Sequence, residues 1–262
     1  MGTIIAFTNQ KGGVGKTTTC VNMSTYMALM GKKVLLLDID HQGNATTGFG
    51  IKKSRDTNSI YKVITGEIEV ESAICKTAIE NLDIIPASLD LAALEVEMAY
   101  IEKKEFVLKE ILSKIKNSYD YITIDCPPSL GLLTINAFTA ADSLLIPIQC
   151  EFFALEGLTQ LMNSIMMVKK KNLNPNIKIE GVALTMRDSR SNLGKLVGQD
   201  IVKFFKNKVY ETSIPKNIRL AEAPSFGMPI YLYDKHCAGA KAYLALTEEF
   251  FERRGESYKK IK

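Results

Sequence analysis

The run TNQKGGVGKTTT (8–19) constrains this chain more than any other feature, because of what flanks it. A β-branched apolar segment, TIIAFT (3–8), leads into it, and TTTCVNMSTYMALM (17–30) leads out. That second segment places Val21, Met23, Met27 and Leu29 or Met30 at helical spacing, with Gly31 as its C-terminal stop. Strand, glycine-rich loop, Lys-Thr and helix in that order make a phosphate loop. Glycine admits the dihedrals that let the amides of Gly12, Gly13, Val14 and Gly15 wrap an anion, and the helix starting near Lys16 points its positive end at it. Lys16 then neutralises β and γ phosphates, Thr17 offers its hydroxyl to Mg²⁺, and Thr18 completes the nucleotide-contacting run. The loop departs from the general pattern, which would place a glycine at position 10, where Gln10 stands. It also carries a second lysine, Lys11, although a loop that cradles a nucleotide can be built with one.

Further apolar runs follow at KVLLLDID (33–40), LDIIPA (82–87), YDYITID (119–125), SLLIPIQ (143–149), IKIEGVALT (177–185) and VYETSIP (209–215). Helical patterns cover 88–117, 130–141, 153–171, 191–206 and 238–253. Strands alternating with helices predict an α/β fold: a doubly wound, mostly parallel sheet with helices on both faces, in one domain spanning 1–262. In such a sheet ligands bind beyond the carboxyl ends of the strands. The polar residues closing the apolar runs should converge there: the loop at 9–16, Asp38 and Asp40, Asp125 with Pro127 and Pro128, and the segment after Pro147. Asp38 and Asp40 share a strand face, which puts Asp38 close to the metal and Lys16.

The five cysteines (Cys20, Cys75, Cys126, Cys150, Cys237) are odd in number and never form a C-x-x-C pair, so neither a disulfide framework nor a zinc site is signalled. No apolar run approaches the roughly 18 residues of a membrane span, and no charged-then-apolar leader precedes the first strand. Met1-Gly2 is not followed by the Ser or Thr of a myristoylation signal, since the sixth residue is Ala6. A cytoplasmic chain is expected. Charge is uneven: residues 1–150 carry 14 Lys and Arg against 17 Asp and Glu, leaving 19 against 12 for residues 151–262. The basic half is compatible with ordinary surface lysine or with a polyanion partner.

The loop KGGVGKTT, with LLLDIDHQGNAT (35–46), YDYITIDCPPSLGLLTINAF (119–138), PIQCEFFALEGL (147–158) and IPKNIRLAEAPSFGMPI (214–230), resembles the ParA/Soj chromosome- and plasmid-partitioning ATPases of the deviant Walker A type. The resemblance covers nearly the whole chain and fits the compact members that begin directly at the first strand. It implies slow ATP hydrolysis with ATP and Mg²⁺, and a homodimer in which two subunits face each other across their nucleotides. Lys11 resembles the lysine that reaches into the partner's site. Asp125 resembles the Walker B aspartate that holds the hydration shell of Mg²⁺, and Asp40 matches the position that orients the attacking water. By the same resemblance adenine lies near Met186, Arg187, Pro215 and Asn217. His41 stands where the family usually has proline, so its effect on hydrolysis is open.

The resemblance also implies non-specific binding of the dimer to double-stranded DNA, association with the nucleoid, and release when a ParB-like centromere protein stimulates hydrolysis. Arg190 and Arg219 match arginines that contact the DNA backbone, and Lys195 and Lys216 stand near them in sequence. His236 and Cys237 occupy positions where many members carry Arg-Ser, which would weaken or shift that patch. Two alternatives share the nucleotide site. A MinD-like spatial regulator would end in an amphipathic membrane helix, but TEEFFERRGESYKKIK (247–262) interrupts any apolar stripe. An ATP-dependent small-molecule ligase would not need Lys11.

Overall fold

A computed structural model of the chain describes residues 2–98, 101–151, 154–188 and 190–261. Residues 99–100, 152–153 and 189, which belong to the helix expected over 88–117 and to the stretches 147–158 and 186–195, lie outside the described residues. The strands are β1 (Thr3–Phe7), β2 (Val34–Asp38), β3 (Cys75–Lys76), β4 (Leu82–Ile85), β5 (Tyr121–Asp125), β6 (Ser143–Gln149) and β7 (Lys178–Thr185). They form one sheet in the order β3-β4-β2-β5-β1-β6-β7. Every pairing is parallel except that of the two-residue edge strand β3 with β4. The helices are α1 (Lys16–Leu29), α2 (Asn44–Gly48), α3 (Ile60–Ile64), α4 (Leu91–Glu97), α5 (Val107–Ile115), α6 (Leu132–Ala140), α7 (Ala154–Lys170), α8 (Asn192–Phe205), α9 (Ile218–Glu222), α10 (Ile230–Asp234) and α11 (Ala238–Arg254).

The central strands are apolar throughout because both faces are covered. Along β2, Leu35 and Leu37 enter the core shared with α4 to α8, while Val34 and Leu36 enter the core shared with α1 and α11. Each of these four is fully buried, so truncating Leu36 to alanine should cost about 2–5 kcal/mol. Strand order places the site. From β1 the chain adds β2 to β5 on one side and then β6 and β7 on the other, so the loop after β1 sits at the reversal. Register levels the strand ends: Asp125 is paired with both Phe7 and Asp38, bringing two buried carboxylates to the foot of the loop.

Two expected elements differ. The stretch 209–215 is not a strand; it touches the sheet edge only at isolated bridges, Val182 to Val209 and Arg187 to Pro215. Tyr210 and Ile214 donate their amides to the carbonyls of Val182 and Leu184, but between them Glu211 and Thr212 donate theirs to the carboxylate of Glu249 at 2.8 and 2.9 Å. A side chain from α11 has taken the donors that a ladder needs. The pattern over 88–117 divides into α4 and α5, separated at Lys103, whose φ of 53° is left-handed and incompatible with a continuous helix. Among the described residues no helix is long and apolar enough to cross a membrane.

Candidate functional site

The loop between β1 and α1 is shaped by two left-handed glycines, Gly13 at φ 74° and Gly15 at φ 84°, the latter capping α1. A Cβ built on Gly12 or Gly13 would meet nothing within 4 Å, so their backbone faces open space. Hydrogen bonds to the ends of β6 and β7 pin the loop. Asn9, which is buried, donates to the Pro147 carbonyl at 2.8 Å and accepts the Lys11 amide at 3.0 Å. Thr185, at the end of β7, donates to the Val14 carbonyl at 2.8 Å. Lys16 is only 6% exposed, and its ammonium donates to the Lys11 carbonyl at 3.2 Å. Burial lowers its pKa, opposed by Asp125 and Asp40 nearby. A desolvated cation under an open amide-lined loop is a receptor for an anion.

The carboxylates divide by their partners. Asp38 is fully buried; one oxygen accepts both the amide (2.8 Å) and the hydroxyl (2.7 Å) of Thr46, and the other accepts the Asp40 amide at 3.2 Å. Burial still pushes its pKa up to about 6. Asp125 is equally buried, yet neither of its oxygens has a hydrogen-bond partner. Burial first, and then repulsion by Asp38, raise its pKa well above the carboxylate range. The Thr17 hydroxyl and Lys16 act in the opposite direction, with Thr17 near enough to matter but short of ordinary hydrogen-bond geometry. An orphaned buried carboxylate beside a threonine hydroxyl and a phosphate loop is a donor set suited to Mg²⁺, a hard cation that takes oxygen ligands and retains waters. Asp40, 4% exposed, accepts the Gln42 amide at 2.9 Å, and half-exposed His41 places Nδ1 3.6 Å from the same oxygen. Cys126 is buried, and burial holds its thiol protonated.

The phosphate loop, Lys16, Thr17 and, of the carboxylates, Asp40 open onto a cavity of about 780 Å³. Gly12, Gly13, Gly15, Lys16, Thr17, Thr18 and Asp40 line it, together with Met186, Pro215, Asn217 and the apolar Ile218, Leu220 and Pro224. The three residues expected beside adenine that line it are thus Met186, Pro215 and Asn217. Met186 turns the chain at φ 46°, Arg187 donates its amide to the Ile214 carbonyl, and Asn217 caps α9 by accepting the Arg219 amide at 2.9 Å. Asn9 and Thr46 fall within motif stretches of the sequence but had no role assigned there, and no pattern in the sequence pointed to Asn22. Asn22, on α1, accepts the Ile230 amide at 2.8 Å and so ties the phosphate helix to α10.

Lys11, partly exposed, pairs with Glu151 at 2.6 Å. Arg190 is 91% exposed and pairs with Asp188 at 3.2 Å; Lys216 is near enough to help lower the Asp188 pKa, after the hydrogen bonds from Arg190. Arg219, half exposed, pairs with Glu222 at 3.0 Å and approaches Asp234 at 3.8 Å. Lys195 stands exposed on the first turn of α8. His236 is exposed, while the Cys237 thiol caps α11 by accepting the Ala240 amide at 3.3 Å.

Residues 2–179 match a family model described as AAA domain. The sporulation initiation inhibitor protein Soj of Bacillus subtilis is 55% identical over 249 residues, covering 95% of this chain and 98% of its own. The chromosome partitioning protein ParA of Caulobacter vibrioides is 49% identical over 252 residues, covering 95% and 94%. Among solved structures, a cobyrinic acid a,c-diamide synthase from Mycobacterium smegmatis with bound ADP and magnesium superposes at a TM-score of 0.84, with 31% identity over all of both chains. A putative plasmid partition protein from Borrelia burgdorferi bound to AMPPNP gives 0.81, with 28% identity over 97% of this chain and 100% of its own. With a two-lysine phosphate loop, paired strand-end carboxylates and these relatives, the chain belongs to the ParA/Soj family of chromosome-partitioning ATPases.

Proposed function

We propose that this protein is an ATP-driven partition switch: it dimerises around ATP, binds double-stranded DNA non-specifically as the dimer, and lets go when a ParB-like partner stimulates hydrolysis. The observation that carries the proposal is the pair of loop lysines with opposite placements, Lys16 buried over the cavity and Lys11 partly exposed on Glu151. Without nucleotide a second cation in the same loop would be repelled by the first; it becomes favourable when a triphosphate shared between two subunits brings negative charge to both.

In this mechanism the amides of Gly12 to Gly15 and the Lys16 ammonium hold the phosphates, with Thr17 and Thr18 at the helix start. Met186, Pro215 and Asn217 flank the base. Thr17 and Asp125 would hold Mg²⁺, and the ion would supply charge neutralisation at the β and γ phosphates. Asp38 positions: its bonds to Thr46 and to the Asp40 amide fix the segment after β2, so that Asp40, steadied by the Gln42 amide, orients the attacking water. Lys11 crosses to the partner subunit, stabilising charge that develops on the transferred phosphoryl group. Arg190, Lys195, Lys216 and Arg219 contact DNA phosphates, which accounts for an absence of sequence preference and places the dimer on the nucleoid.

Light scattering on the protein with ATP and with ADP tests the dimer. A doubling of mass with ATP, lost in Lys11→Ala while nucleotide binding persists, is expected; equal dimerisation of Lys11→Ala and the parent overturns the trans-acting role. The full-length likeness to the cobyrinic acid synthase favours a second reading, a small-molecule amide-forming enzyme. Turnover that needs a carboxylic acid co-substrate, and that is indifferent to DNA and to Lys11, would select it.

A further inference from the structure

Arg219 is not a free cation. Its guanidinium is held by the Glu222 carboxylate one helical turn on, at 3.0 Å, and faces Asp234 at 3.8 Å. Glu222 is itself oriented, because the same oxygen that accepts from Arg219 also accepts the Tyr233 hydroxyl at 3.0 Å. Tyr233 and Asp234 lie on α10, whose first amide is bonded to the buried Asn22 of α1. The preceding turn is fixed as well: Gly227, at φ 66°, lies so close to Gly50 that an added Cβ would sit 2.7 Å from the Gly50 Cα. Asp234 is further anchored by accepting the amides of His236 and Cys237 at 3.1 and 3.2 Å. Asp234 therefore stands on a braced platform, and Glu222, which shares the five-residue helix α9 with the half-exposed Arg219, is tied to that platform by Tyr233.

We propose that Glu222 and Asp234 form an internal stand-in for phosphate that masks Arg219 and sets the affinity of the protein for duplex DNA. This rests on the DNA-binding reading of Arg219 given above. A carboxylate and a phosphate oxygen compete for the same guanidinium donors, so each DNA contact made by Arg219 must first displace Glu222. An exposed pair of this kind is weak, which makes the mask a tuner rather than a block: removing it strengthens the contact by about two- to five-fold per arginine. A dimer carries two such arginines, and the effects multiply. Glu222 and Asp234 are in this scheme positioning residues, acting on DNA only through Arg219.

The test is a double-mutant cycle read by anisotropy of labelled non-specific duplex DNA, with the full chain and ATP, at several salt concentrations. Glu222→Gln keeps the shape and an acceptor for Tyr233 while removing the charge. It should tighten binding by about four- to twenty-five-fold for the dimer, with ATP hydrolysis in the absence of DNA unchanged. Glu71→Gln, beside the β3 edge of the sheet, controls for net charge and should change affinity far less. In an Arg219→Ala background Glu222→Gln should have no further effect. The mask is refuted if Glu222→Gln only matches Glu71→Gln, or if it still tightens binding without Arg219. If Arg219→Ala itself retains parental affinity, the DNA role of Arg219 falls, and the mask with it.

Discussion

Lys16 and Arg219 are both cations proposed to meet phosphate, and the protein holds them in opposite ways. Lys16 is 6% exposed, has a pKa lowered by burial, and is bonded to a backbone carbonyl of its own loop. Arg219 is half exposed and held by carboxylates across and along the surface. Burial makes the first site depend on a few strong contacts with one small ligand, since a desolvated cation gains most from a single well-placed anion. Exposure makes the second weak per residue and dependent on several such contacts, as suits a long polyanion read without regard to sequence. On the proposed function the difference is one between chemistry done by a few fixed groups and adhesion done by many adjustable ones.

Perturbing the buried end should give the largest effects. Asp40→Ala removes the group proposed to orient water, so turnover in a phosphate-release assay should fall by roughly 100- to 10,000-fold while Mg²⁺ and ATP still bind. That variant should collect on DNA as an ATP-bound dimer; rapid turnover would mean the wrong carboxylate has been assigned. Lys16→Ala should weaken ATP binding by roughly 100-fold or more in calorimetry, because two phosphates lose their charged donor. Asp125→Asn probes the cost of holding an orphaned carboxylate. Its raised pKa means that protonation favours the nucleotide-free fold, so this site's contribution to stability is present at low pH and is lost as pH rises through the folded-state value. Asparagine removes that dependence, and the nucleotide-free variant should be more stable than the parent at pH 8 by about 1–3 kcal/mol in thermal or denaturant unfolding, while losing Mg²⁺-dependent nucleotide binding. A variant less stable than the parent at every pH would show the carboxylate to be structural.

At the exposed end the effect is smaller and has a different signature. Arg219→Ala should dimerise with ATP as the parent does, and the slope of log affinity against log salt should shrink by about 0.9 for each phosphate that the protein no longer neutralises, two per dimer. A structural arginine would instead lower the melting temperature and leave the slope unchanged.

The two ends also differed in how far the sequence revealed them. The phosphate loop is local: glycines, lysine and threonine sit within one turn of chain between a strand and a helix, so their order alone locates the site. Alternating apolar runs located six of the strands and the faces of α1, α6, α7, α8 and α11, because in a doubly covered sheet burial follows backbone periodicity. Where side chains replace backbone partners the pattern misled. The apolar spacing of 209–215 is that of a strand, but Glu249, 37 residues beyond Thr212, takes its amides. The partners of Asp38, Lys11 and Arg219 were equally hidden, since Thr46, Glu151 and Asp234 reach them only through the fold. The short α9 and α10 carry almost no helical period, and with them the platform beneath Arg219 was missed.

The comparison between a buried switch and an exposed adhesive surface stands or falls on whether the first controls the second. Retention of the parent protein on non-specific duplex DNA, measured with ATP, with ADP and without nucleotide at one salt concentration, tests this directly. Strong retention with ATP, and little with ADP or none, is predicted. Equal retention in all three conditions would contradict it, leaving the basic surface independent of the nucleotide site.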